Sequence, residues 1–216
     1  MKEVNMKISI IGTGNMAKAI SSRLVSSGHS VDIHARSPEK GEALAAELKQ
    51  LATASAGIQL STVGEPTEDI VVLAVGYGEI AAIADEYNGF VGKTVIDITN
   101  PIDFATFQLL PAPGTSGAEA IAALLPQATV VKAFNTTFAG PLTAGTVDGK
   151  PLDVFIASDD AAAKATISEL VNTSSMRAID AGPLAHARHL EGIALIHMSL
   201  QATLGTGWMS ALQIVV

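Results

Sequence analysis

The sequence predicts an α/β fold: a doubly wound, mostly parallel sheet followed by a short C-terminal helical extension. Three observations predict it. Residues 6–37 read as strand, glycine turn, helix, strand. Short β-branched runs then alternate with apolar residues at helical spacing along most of the chain. Most of those runs end in small, polar or turn residues: Gly12, Ala35-Arg36, Gly76, Asn100-Pro101 and Asn135. In open parallel sheets ligands bind beyond the carboxyl ends of the strands, so these loops converge on one crevice.

The first unit is the most informative. Lys7–Ile11 is a buried strand ending at glycine. Met16, Ile20 and Leu24 fall at helical spacing within residues 15–27, and Gly28 closes that helix. Residues 31–35 form the next strand. The turn between them reads Gly12-Thr13-Gly14-Asn15-Met16-Ala17. Gly12 allows the tight exit from the strand, Gly14 leaves room for a pyrophosphate at the backbone, and Ala17 lets helix and strand pack closely. Phosphates then meet free N–H groups at the positive end of the helix dipole. A glycine turn flanked on both sides by the right elements points to a Rossmann dinucleotide site.

The remaining elements follow in order. Residues 38–52 form a surface helix with Leu44, Leu48 and Leu51 on one face and Glu39, Lys40, Glu47 and Lys49 toward water. Residues 58–62 are a third strand, and the apolar run 70–75 a fourth, buried on both faces. After Gly76-Tyr77-Gly78 a short helix runs to about Tyr87. Residues 94–99 are the fifth strand. A loop with Pro111, Pro113, Gly114 and Gly117 leads to a helix at 118–125, and residues 129–133 form the sixth strand. Residues 152–157 and 177–180 add a seventh and eighth, with a helix at 160–172 capped by Ser158 or Asp159. A last helix spans 186–204. Residues 1–181 therefore read as the dinucleotide-binding domain and 182–216 as a helical segment completing a second-substrate site.

Composition narrows the partners. The chain has 216 residues, 48% hydrophobic and only 4% aromatic, so its core is aliphatic. A net charge of -8 argues against nucleic acid or an anionic membrane. With no cysteine there are no disulfides, thiolate metal sites or thiol catalysis, which fits a reducing, cytoplasmic setting. No signal peptide is visible at the N-terminus, and the apolar stretch 184–216 is too interrupted to span a membrane. The apolar last helix suits the face of a homodimer.

The end of the second strand selects the dinucleotide. An enzyme selective for NAD carries an acid there; this chain has His34-Ala35-Arg36-Ser37, with Asp32 inside the strand and Glu39 opening the next helix. Arg36 offers a planar fork to a phosphate, Ser37 a hydroxyl, and Lys40 a second cation. This composition reads as a 2′-phosphate pocket, hence NADP(H).

Several segments together resemble one family. Gly-Thr-Gly-Asn-Met-Ala at Gly12, Ala-Arg-Ser-Pro-Glu-Lys at Ala35, Thr-Asn-Pro at Thr99, Gly-Thr-Ser-Gly-Ala-Glu at Gly114, Val-Lys-Ala-Phe-Asn-Thr at Val131 and the Gly-Pro-Leu-Ala-x-Ala-Arg-x-Leu-Glu run at Gly182 are similar to the NADPH-dependent deazaflavin (coenzyme F(420)) oxidoreductases. The cytosolic domain of eukaryotic metalloreductases is similar too. The resemblance implies hydride transfer between NADP(H) and a small redox acceptor, a deazaflavin or a flavin. By position it implies that Thr13, Asn15 and Met16 line the phosphate turn and that Arg36, Ser37 and Lys40 hold the 2′-phosphate. Val75 and Gly76 border the ribose with Asn100 and Pro101 close by, and Ala133, Phe134 and Asn135 border the nicotinamide. One departure is Gly76-Tyr77-Gly78, where the family often has Pro and an aromatic residue or His.

The acceptor wall is expected from Gly182-Pro183-Leu184 and the last helix, with His197 as a contact. His186, His189, Ile193 and His197 share one stripe, but no carboxylate completes it, so no metal is expected. Arg188 and Glu191 are spaced as an i,i+3 pair. Asp97 is a tether rather than a catalyst. No Ser or Thr sits in a nucleophile motif. Alternatives to a ring acceptor are a small carbonyl or imine, which needs a positioned proton donor, and a non-catalytic NADP(H)-sensing module.

Overall fold

A computed structural model describes residues 5–61, 64–87 and 89–215. Residues 1–4 of the first expected domain, Thr62 at the end of the expected third strand, and Val216 lie outside them. Eight strands form one sheet: β1 (Lys7–Ile11), β2 (Ser30–His34), β3 (Ile58–Ser61), β4 (Ile70–Leu73), β5 (Thr94–Asp97), β6 (Thr129–Lys132), β7 (Asp153–Ala157) and β8 (Arg177–Gly182). Their order is β8-β7-β6-β5-β4-β1-β2-β3. The six strands from β3 to β6 in that order are mutually parallel. β7 runs antiparallel to β6, and β8 runs parallel to β7. The sheet is therefore mostly parallel, and its order reverses between β1 and β4, the switch point where such sheets bind ligands.

Alternating residues of the buried strands feed two cores. On one face Ile8, Ile10, Ile33, Val72 and Ile96 pack against α1 (Asn15–Ser26), α2 (Pro38–Lys49), α5 (Ala139–Ala144) and α6 (Ala161–Thr173). On the other face Ile11, Val71, Leu73, Val95 and Val130 pack against α3 (Ile80–Glu86), α4 (Gly117–Leu124) and the start of α7 (Ala187–Ser199). A further turn, α8 (Gln201–Leu204), continues α7 past Leu200 and stops at Gly205, whose φ is +62°.

Local chemistry sets the helix ends. Ser37 accepts the Lys40 N–H and Pro38 occupies the first turn of α2. Ser116 accepts the Glu119 N–H while its hydroxyl donates to the Glu119 carboxylate, so α4 starts at Gly117, one residue earlier than expected. Asp160 caps α6 by accepting the Ala163 N–H; the expected caps Ser158 and Asp159 turn elsewhere, to Val130 O and Leu184 N. Leu51 is exposed because α2 ends at Lys49, before the helical face reaches it. The hairpin Ile102–Asp103 with Gln108–Leu109, and α5, were not foreseen in the sequence.

One buried ion cluster joins the last helix to the sheet. Lys132 Nζ, at 0% exposure, donates to Asp97 Oδ2 at 2.8 Å, Glu191 Oε1 at 2.8 Å and Thr99 O at 2.6 Å. Glu191 also accepts the Gly117 and Ala118 N–H groups, the first two of α4, which the Ser116 cap does not reach. Asp97 Oδ1 accepts the Thr99 N–H at 2.8 Å. The i,i+3 pair expected between Arg188 and Glu191 does not form: Arg188 reaches Glu119 instead, with Nε 2.8 Å from Oε2. Removing the one cation leaves two carboxylates buried. Lys132→Met is expected to cost about 3–5 kcal/mol of unfolding free energy, the range for a broken buried ion pair, measured by denaturant titration. A loss under about 1 kcal/mol, the range of an exposed pair, would show that the cluster is not the clamp described.

Candidate functional site

The carboxyl ends of β1, β2, β4 and β5 open into one groove of about 730 Å3. Its floor is the turn after β1. Gly12 has φ +121°, and a Cβ there would sit 2.3 Å from Ala74 O, so only glycine lets β1 pass the end of β4. Gly14 faces open space, with nothing within 4 Å of where its Cβ would be. It also forms the N-cap of α1 without any side-chain cap, which leaves the first N–H groups of a twelve-residue helix turned to the groove. Thr13, Asn15 and Met16 line the same turn, and Ala17 is fully buried beneath it.

The two walls at the β2 end carry the charge. Arg36, Ser37 and Lys40 line it as the sequence implied. Each of the first two already has a carboxylate partner. Arg36 Nη2 lies 2.9 Å from Glu79 Oε1, and the Ser37 hydroxyl donates to Glu39 Oε2 at 2.8 Å, which holds the Glu39 carboxyl below its usual range. Glu79 ends a single 3-10 turn, Tyr77–Glu79, that follows Val75 and Gly76. Deeper in this wall His34 is 2% exposed. Its Nε2 is 3.2 Å from Asp32 Oδ2, off-line for a hydrogen bond, and neither ring nitrogen has a hydrogen-bond partner among the described residues. Burial opposes ionisation of Asp32, but its contacts with His34 and the Ser61 hydroxyl outweigh that and keep its pKa low. Ile83 and Tyr87 complete this end.

The β5 end is apolar. Ile98, Ile102, Phe104 and Leu110 line it, joined by Met198 from α7. Asn100 is locked in place: its Nδ2 donates to Asn135 O at 2.8 Å, and its Oδ1 accepts from Asn135 Nδ2 at 2.9 Å. Tyr77 lies between the groove and the ion cluster, its ring against Gly117. Burial first, then the Glu191 and Asp97 charges, push the Tyr77 phenol pKa up, so it stays protonated.

The structure thus brings Gly12, Thr13, Gly14, Asn15, Met16, Arg36, Ser37, Lys40, Val75, Gly76 and Asn100 into one groove. It holds Pro101, Ala133, Phe134 and Asn135 behind the wall, all buried, with Asn135 acting through Asn100. The expected acceptor contacts are elsewhere. Leu184 is part of the second core, Gly182 is the last residue of β8 and Pro183 follows it, and all three are outside the groove lining. His197 is buried, stacked on Phe138 at 4.3 Å between ring centroids and 2.8 Å from Ser210 Oγ, and burial lowers its pKa. Its neighbour Met198 reaches the groove instead. Among the described residues no group of three His, Cys, Asp or Glu side chains could hold a metal ion. The sequence reading missed Glu79, His34, Tyr77 and the Phe104 hairpin. One signal was available: His34 lies two residues before Arg36, on the same side of an extended chain.

A glycine-turn Rossmann sheet whose groove is basic at one end and apolar at the other is the architecture of a dinucleotide-binding protein. Comparison with known proteins narrows the class. Residues 7–101 match the family model described as NADP oxidoreductase, coenzyme F420-dependent. The chain is 35% identical over 192 residues to the metalloreductase STEAP3 of Rattus norvegicus, covering 88% of this chain and 36% of that protein. It is 29% identical over 210 residues to the F420-dependent NADP reductase of Methanocaldococcus jannaschii, covering 90% and 92% respectively. A crystal structure from Arthrobacter sp. FB24, of a protein assigned as an F420-dependent NADP-reductase, superposes with a TM-score of 0.81 at 28% identity over 98% of this chain and 100% of that one. Over most of its length the chain is similar to these NADP-dependent oxidoreductases. It spans about a third of the length of the metalloreductases it matches.

The two glycines of the turn separate folding from binding. Gly14→Val is expected to abolish nucleotide binding while leaving the unfolding midpoint nearly unchanged, because the new side chain fills only the space of the pyrophosphate. Gly12→Ala is expected to lower the midpoint itself, because its Cβ meets Ala74 O. Calorimetric titration and thermal melts of the two variants check this; normal NADPH binding by Gly14→Val would place the site elsewhere.

Proposed function

We propose that this chain binds NADP(H) along the groove and transfers a hydride between it and a flat ring acceptor, a deazaflavin of the coenzyme F420 type first and a flavin second. The observation that supports this is the change of character along one continuous groove. Arg36, Ser37 and Lys40 stand at one end, the uncapped start of α1 in the middle, and Ile98, Ile102, Phe104, Leu110 and Met198 at the other. The residues fit the cofactor. Gly14, Gly76 and Gly78 leave space that a Cβ would occupy, and His34 is among the residues lining the basic end. When bound, NADP(H) supplies or takes up the hydride. The chain's own part is to orient and to exclude water. Lys132 pins Thr99 O and Asn135 pins Asn100, so the wall between the two halves is rigid. Stacked rings with reacting carbons about 3–3.5 Å apart need little acid–base help, which suits an apolar far end.

A second reading, reduction of a small carbonyl or imine, is favoured by Tyr77, a protonated phenol lining the groove that could donate a proton. A sensing module without catalysis would have no use for the apolar acceptor end. In this proposal residues 182–216 complete the acceptor site through Met198. The exposed stripe Ile193, Ile196, Leu200 and Leu204 forms a homodimer face. No helix among the described residues is long and apolar enough to cross a membrane, and a cytoplasmic location is part of the same proposal.

Two measurements test it. NADPH is expected to bind at least about ten times more tightly than NADH, and Arg36→Ala to weaken NADPH about ten- to a hundred-fold, as the loss of a charge-assisted bond of about 1.5–3 kcal/mol requires. Equal dissociation constants in the unmutated protein would overturn the cofactor assignment. Anaerobic NADPH oxidation is expected with a deazaflavin, and more slowly with FMN, FAD or riboflavin. Met198→Trp, which fills the apolar end, is expected to raise KM for the ring acceptor without weakening NADPH. Turnover of a small ketone or imine but of neither ring system would favour the second reading.

A further inference from the structure

The end of β2 lacks the acid that marks an NAD site, yet a carboxylate is present at that place. It comes from the opposite wall. Glu79, at the end of the turn after β4, reaches across the groove to Arg36 at 2.9 Å. Glu39 engages the Ser37 hydroxyl in the same way. Both leading donors for a 2′-phosphate are therefore paired with carboxylates before any nucleotide arrives. The Arg36 and Glu79 side chains are 60% and 47% exposed, so their ion pair is weak and movable.

We propose that Glu79 sets the nucleotide preference of this chain by competing with the 2′-phosphate for Arg36. The inference rests on the groove being an NADP(H) site and goes one step further. A phosphate that binds Arg36 must displace a carboxylate and then remain near its negative charge. A nucleotide with a free 2′-hydroxyl meets no such repulsion and finds in Glu79 an acceptor oxygen, the role usually filled by the acid at the end of the second strand. Glu79 thereby narrows a preference that Arg36, Ser37 and Lys40 would otherwise make wide. The groove carries determinants of both signs, one from each wall.

The test is a gain of affinity, which a misfolded variant cannot mimic. Glu79→Gln keeps the size and removes the charge. Dissociation constants of the full chain are measured by calorimetry for NADPH, NADH, 2′,5′-ADP and 5′-AMP at low and high salt. Glu79→Gln is expected to bind NADPH and 2′,5′-ADP about three- to five-fold more tightly, the scale of an exposed ion pair. NADH and 5′-AMP should bind no more tightly than before. The gain should shrink at high salt, because the charges are exposed. Unchanged or weaker binding of NADPH, or an equal gain for NADH, would overturn the proposal. Arg36→Ala keeps the two readings apart. If it leaves NADPH affinity untouched, the NADP(H) site itself is misassigned. If it weakens NADPH while Glu79→Gln brings no gain, only the role of Glu79 fails.

Discussion

The ammonium of Lys132 is the point on which the site depends. It lies between two carboxylates from different parts of the chain, Asp97 on β5 and Glu191 on α7, and also holds the Thr99 carbonyl. Charges taken out of water gain little net stability from one another. What they gain is position, because each has directional partners and nowhere else to go. Glu191 covers the first N–H groups of α4, Asp97 fixes the turn into Thr99, and Lys132 sets the spacing between them. Thr99 and Asn100 face the groove, so the wall between its charged and apolar halves is set by a cluster that lies outside the groove lining.

At the other side of the groove the constraint is steric. The Gly12 backbone passes so close to Ala74 that no side chain is allowed, and that approach brings the α1 terminus over the switch point. A second strained position supports the far wall. Phe134 is buried with φ +62°, a left-handed conformation costing a non-glycine residue about 1–2 kcal/mol. Its carbonyl accepts both the N–H and the hydroxyl of Thr137, and the next residue, Asn135, is thereby aimed at Asn100 and at the Leu190 carbonyl of α7. The strain lies one residue from the pair that fixes the groove wall.

How much of this could be read in the sequence follows from which interactions are local. The β1 turn, the strand runs and the basic end of β2 are local patterns, and the structure reproduces them with shifts of a residue or two. Asp97 and Lys132 were half legible: each is a charged residue closing an apolar strand, and they are partners in the β5–β6 register. Their third member, Glu191, was not legible, because helical spacing made Arg188 its obvious neighbour. Glu79 was hidden for the same reason. It lies 43 residues from Arg36 and meets it only because β1 sits between β2 and β4 in the sheet. Non-local pairs of this kind are decided by topology rather than by spacing.

The placement of Gly182, Pro183 and Leu184 outside the groove has a topological cause too. The rule that ligands gather at carboxyl ends holds for strands running the same way. β7 reverses against β6, and β8 follows β7, so the carboxyl ends of both point away from the groove. Gly182-Pro183-Leu184 therefore leave the sheet on the wrong side, and Leu184 drops into the second core beside Ile121 and Val130. The chain must then climb back, and α7 is the return path. Glu191, early in that helix, meets Lys132 at the level of the strand ends. Met198 lies seven residues, about 10 Å, further along the axis and arrives at the groove. The end of α7, not its beginning, forms the apolar wall, and the buried ion cluster fixes the height at which it does so.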